Sequence, residues 1–62
     1  MRYMCRVSSL ERAEQLRDKA IELNNPDAGG YVALPTSGLP ICFLQFKTKE
    51  LFDQWYAFAK KA

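Results

Sequence analysis

Residues 2–7 alternate, with Tyr3, Cys5 and Val7 on one side and Arg2, Met4 and Arg6 on the other. That period of two marks a short strand with a charged outer face. Ser8-Ser9-Leu10-Glu11 follows and reads as a capping box, with Ser8 accepting from the Glu11 amide and the Glu11 carboxylate returning to the Ser8 amide, so a helix begins here. Leu10, Ala13, Leu16, Ala20 and Leu23 recur at helical spacing with Ile21 beside them, while Glu11, Arg12, Glu14, Arg17, Asp18 and Lys19 cover the remaining surface. Asn24-Asn25-Pro26 closes the helix, because asparagine tolerates a left-handed cap conformation and proline cannot continue the ladder.

Asp27-Ala28-Gly29-Gly30 leads into a second strand over 31–34. Pro35-Thr36-Ser37-Gly38-Leu39-Pro40 then forms a hairpin loop in which Gly38 can take positive φ. The third strand, 41–46, is apolar on both faces through Ile41, Cys42, Phe43, Leu44 and Phe46, as a central strand should be. Thr48 caps a second helix whose buried stripe is Leu51, Phe52, Trp55, Phe58 and Ala59. Glu50 and Asp53 suit its positive end, and Lys60 and Lys61 its negative end. The order βαββα predicts one small α+β domain over 1–62, a three-stranded antiparallel sheet in the order 1-3-2 with two helices packed on one face. The other face then lacks a cover, and the first strand keeps an open edge where a ferredoxin-like split unit would add its closing strand.

Length sharpens this picture, since 62 residues lie near the lower limit at which a core alone holds a fold. An open edge on so thin a core predicts a homodimer at micromolar concentration, formed through the first strand or the uncovered face. Nine basic and seven acidic side chains are interspersed, for a net charge of +2, so no strong field draws the chain to nucleic acid or anionic lipid. Charges within the first six residues argue against a secretory signal, and no apolar run reaches the roughly 20 residues of a membrane span. The expectation is a soluble cytoplasmic protein without membrane contact. Cys5 and Cys42 sit in apolar strand contexts and read as buried, reduced thiols.

Chemistry is sparse. Histidine is absent, as is any C-x-x-C, which leaves no metal site, and neither cysteine has an identifiable base. Gly29-Gly30 precedes a strand rather than a helix, so it is no phosphate loop. Glu50 and Asp53 are explained by the helix end they occupy. No enzyme, cofactor or small-molecule substrate is expected. The chain reads as a non-catalytic protein-interaction module, a regulator or inhibitor of an unidentified partner protein, a class that includes small phage-encoded proteins. Its candidate contact residues are the amphipathic rings of Tyr31 and Tyr56 together with Arg2, Met4 and Arg6. Trp55 belongs to the core.

An alternative comes from Ile41-Cys42-Phe43-Leu44-Gln45-Phe46, which resembles the second half of the RNA-recognition-motif signature, with Phe43, Leu44 and Phe46 at matching positions. Leu39, Pro40 and Ile41 stand where that signature has a basic residue, a glycine and its first aromatic. What the resemblance implies is a single-stranded nucleic-acid binder, with Tyr3 and Phe43 as stacking platforms on the uncovered face and Arg2, Arg6 and Lys47 near the backbone. Both readings set Tyr3 and Phe43 on one face together, buried in the first and exposed in the second.

Overall fold

Side-chain hydroxyls open both helices in the computed structural model, which describes residues 1–24 and 29–61. The elements are β1 (Arg2–Arg6), α1 (Leu10–Asn24), β2 (Gly30–Ala33), β3 (Ile41–Gln45) and α2 (Lys49–Lys61). Thr48 Oγ1 accepts from the Leu51 amide at 3.2 Å, the cap expected for α2. At α1 the cap is one residue later than the capping box predicts: Ser9 Oγ accepts from the Arg12 amide at 3.1 Å, so Arg12 rather than Glu11 is the third residue of the helix. Arg12 also spans the two helices, its Nη2 donating to the Ala59 carbonyl at 2.7 Å.

The sheet is antiparallel in the order β1-β3-β2, with both helices on one side. Tyr3 lies opposite Leu44 and Cys5 opposite Cys42, while Gly30 and Val32 flank the same two β3 residues from the other strand. Pairing runs past the strand ends, since the Met1 amino group donates to the Phe46 carbonyl at 2.9 Å, the Phe46 amide to Met1 at 2.8 Å, and the Val7 amide to Pro40 at 3.0 Å. Gly38 has φ 119°, as the loop requires. Gly30 has φ 155°, and a Cβ there would collide with the Phe43 carbonyl oxygen and with Leu44.

Two groups of side chains close the helix side. Ala13 and Ala20 are fully buried, and their small size lets α1 lie close enough for the Cys42 thiol to reach the Ala13 carbonyl at 3.5 Å. Tyr3, Phe46, Phe52 and Trp55 make an aromatic cluster under α2 with ring centroids 5.2–6.0 Å apart along its contacts. Trp55 is 1% exposed, and its Nε1 donates to the Leu16 carbonyl at 2.8 Å. Leu10 and Ile21, expected on the apolar stripe or beside it, are both largely exposed.

Asn24 does not act as a left-handed cap. It is the last residue of α1, fully buried, and no described non-glycine residue has positive φ. Its amide group instead crosses to the sheet: Nδ2 donates to Ala20 O at 2.7 Å and Gln45 O at 2.9 Å, while Oδ1 accepts from the Lys47 amide at 3.0 Å. The turn expected to continue through Asn25, Pro26, Asp27 and Ala28 lies outside the described residues.

Two substitutions test this packing. Trp55→Ala should cost roughly 3 to 5 kcal/mol and unfold so small a domain. Asn24→Ala removes the buried side-chain bonds to the Gln45 carbonyl and the Lys47 amide and should cost about 2 to 3 kcal/mol. Urea denaturation checks both, and an unchanged midpoint in either variant would refute the corresponding assignment.

Candidate functional site

Register determines what the uncovered face carries. The residues of β1 and β3 opposite one another on that side are Arg2 with Gln45, Met4 with Phe43, and Arg6 with Ile41, and β2 adds Tyr31 beside Phe43 and Ala33 beside Ile41. A row Met4, Phe43, Tyr31 therefore crosses the middle of the sheet. Met4 and Tyr31 are each 61% exposed, and the Tyr31 and Phe43 rings stack at 5.2 Å with 21° between their planes. Cross-strand aromatic neighbours of this kind are held by the pleat itself.

Arg2 and Arg6 bracket the row, about 13 Å apart along the strand at the usual rise per residue. Neither forms an ion pair among the described residues, and no carboxylate stands at any paired position of this face. Near the Arg2 end a shallow cavity of about 510 Å³ opens between Arg2, Met4, Gly30, Tyr31, Phe43 and Gln45. Gly30 contributes no side chain to that hollow.

Sequence-predicted site residues divide between the two sides of the sheet. Tyr31, Arg2, Met4 and Arg6 share the open face. Tyr56 does not: it lies on α2, 45% exposed, stacked on Phe52 at 5.8 Å with Lys60 Nζ 5.8 Å from its ring centre. Tyr31 and Tyr56 are thus separate surfaces rather than paired anchors. Tyr3 and Phe43 are also parted, against the expectation that one face holds both. Tyr3 pairs with Leu44 on the helix side and packs on Phe52 and Trp55, whereas Phe43 is outward. Successive residues of a strand point to opposite faces, and Tyr3 and Phe43 occupy adjacent rather than shared register lines. Lys47 lies past the end of β3, its amide held by Asn24.

Cys5 and Cys42 are free thiols directly opposite one another on the helix side. Burial raises both; the Cys42 thiol is pushed up to about 11 by burial first and then by the charge and hydrogen bonding of Cys5, with Arg17 and Arg12 opposing. Cys5 is raised by burial, against the hydrogen bond to Cys42 and the charge of Arg12. Neither is a thiolate at neutral pH, so neither is an activated nucleophile. Glu50 is exposed, and Asp53 is held by Lys49 Nζ at 3.1 Å.

Among the described residues no group of three or more histidine, cysteine, aspartate or glutamate side chains converges as a metal site, and no helix is long and apolar enough to cross a membrane. Comparison with protein-family models, with curated proteins and with solved structures finds no match to this chain.

The thiols make stability pH-dependent. A thiol whose folded value lies above its unfolded one stabilises the fold fully below the unfolded value, here 9.0, and that contribution is lost as pH rises toward about 11. Tyr3, raised from 10.0 chiefly by burial, acts in the same direction at the upper end. Denaturation midpoints under reducing conditions should be level from neutral pH to about 9 and then fall, and Cys42→Ala should flatten the first part of the descent. A level profile through pH 11 in the unsubstituted protein would contradict the burial of these groups.

Proposed function

We propose that the protein is a non-catalytic binding module, a regulator or inhibitor that occupies the surface of another protein through its open sheet face. The observation that carries this is the row of exposed Met4 and Tyr31 with half-buried Phe43 between them, bracketed by two arginines that form no ion pair among the described residues, with no carboxylate at any paired position of the face. Methionine, aromatic rings and arginine are the side chains enriched where interfaces bury most deeply, and acidic residues are depleted there. A cytoplasmic setting belongs to this reading, and two facing but unbridged thiols suit it.

The Tyr31–Phe43 stack favours a second reading, single-stranded nucleic-acid binding, because a base can lie on either ring. Charge favours the first. Two guanidinium groups neutralise about two phosphates, which gives a salt slope of only about −1.4 for single strands and a weak electrostatic contribution to affinity. An apolar row with so few cations around it fits a protein surface better.

Tyr31→Ser combined with Phe43→Ser is the direct test. Both side chains stand away from the helix-side core, so circular dichroism should keep its native form, and stability should fall by roughly 1 to 3 kcal/mol, the aromatic pair together with the half-buried apolar surface of Phe43. A protein captured from the organism of origin by the unsubstituted chain, retained at about 0.5 M salt and lost in the double variant, is the expected result. Oligonucleotide binding that weakens with salt and disappears in the variant would establish the second reading in its place.

A further inference from the structure

We propose that the outer edge of β1 is a pairing site for an extended acidic segment of another protein, with two carboxylates at alternate positions around an apolar residue. This rests on the reading above that the partner is a protein, and adds where and how a strand of it docks.

Backbone geometry supplies the site. Met1, Tyr3, Cys5 and Val7 belong to the register lines whose peptide groups bond to β3, as the bonds at Met1 and Val7 show. In an antiparallel ladder the intervening residues point the other way. The peptide groups of Arg2, Met4 and Arg6 therefore face outward from an edge that no described strand pairs. Such a row is a template for an added strand.

Side chains on either side of the edge select what can fill it. On the open face a new strand's residues would lie beside Arg2, Met4 and Arg6, in the order cation, apolar, cation. Carboxylates opposite the arginines and an apolar residue opposite Met4 complete that row, since opposite charges across strands attract and like charges repel. A second copy of β1 fails this criterion: symmetric pairing centred on Met4 sets Arg2 against Arg6. On the helix side the added residues would lie beside Tyr3 and Cys5, next to Phe52 and Tyr56. Tyr56, 45% exposed, stacks on Phe52, which itself leans on the Tyr3 ring at 5.2 Å, so α2 presents aromatic surface above the edge. Apolar residues at the two intervening positions would cover it.

The probe is a capped synthetic peptide, Ser-Glu-Val-Leu-Val-Glu-Ser, compared with the same peptide bearing lysine in place of both glutamates, each titrated into isotopically labelled protein and followed by NMR. The acidic peptide should bind saturably and slow amide exchange at Arg2, Met4 and Arg6, while the lysine peptide binds roughly tenfold more weakly. Arg2→Glu with Arg6→Glu, two exposed positions remote from the core, should reverse that preference. Equal affinity for the two peptides, no binding at about 1 mM, or a peptide-free dimer with protected β1 amides would each overturn the proposal. Failure here is separable from failure of the face reading, because the Tyr31→Ser, Phe43→Ser variant alters only the latter: partner capture lost in that variant alongside peptides that do not bind removes the edge and keeps the face.

Discussion

The indole of Trp55 is where every layer of this small domain meets. Its ring lies against Tyr3 of β1 and Phe46 beyond β3, it stacks along Phe52 of its own helix, and its single polar atom donates to the Leu16 carbonyl of α1. A tryptophan can be this deeply buried only if its N–H finds an acceptor, and a carbonyl in mid-helix supplies one at the place where α1 and α2 touch. Ala13 and Ala20 bring α1 close to the sheet, Asn24 joins its end to the end of β3, and Arg12 ties it to α2. With both helices committed to one side, no described element covers the other.

The order of elements, the central position of the third strand and the burial of Trp55 were legible because each rests on a strong periodic signal. The orientation of β3 was harder to see, since a strand apolar on both faces hides its own alternation. One residue carries the missing information. Gln45 is the only polar side chain in β3, and placing it outward sends Phe43 and Ile41 outward with it, away from Tyr3. Ser8 and Ser9 posed a similar ambiguity, as adjacent hydroxyls either of which fits a cap, with Glu11 favouring the wrong one. Asn24 was read through its backbone tolerance, whereas its side chain is what the fold uses, joining partners 21 and 23 residues away that no local pattern can reveal.

A sheet covered on one side has two kinds of unfinished surface, and in this chain they share residues. Arg2, Met4 and Arg6 present side chains to the open face and peptide groups to the open edge. Charge at those positions discourages indiscriminate strand pairing while leaving a defined complement attractive, which is how edge strands are ordinarily kept from aggregating. The Cys5 and Cys42 thiols, by contrast, point inward and are kept protonated by burial.

The order of strands also bears on how the chain reaches this state. β2 and β3 are neighbours in sequence, separated by residues 34–40, whereas β1 must pair with β3 across α1 and the whole second strand, with Cys5 and Cys42 meeting 37 residues apart. Closing the longer loop costs more chain entropy, and the reward comes only when Tyr3 reaches the aromatic rings of α2. The hairpin of β2 and β3 with α1 against it is thus expected to form early, with β1 the last strand to dock and the first to detach in local opening. Faster native-state amide exchange at Tyr3 and Cys5 than at Tyr31 and Ala33 is the kinetic signature of that order, and the reverse ranking would contradict it.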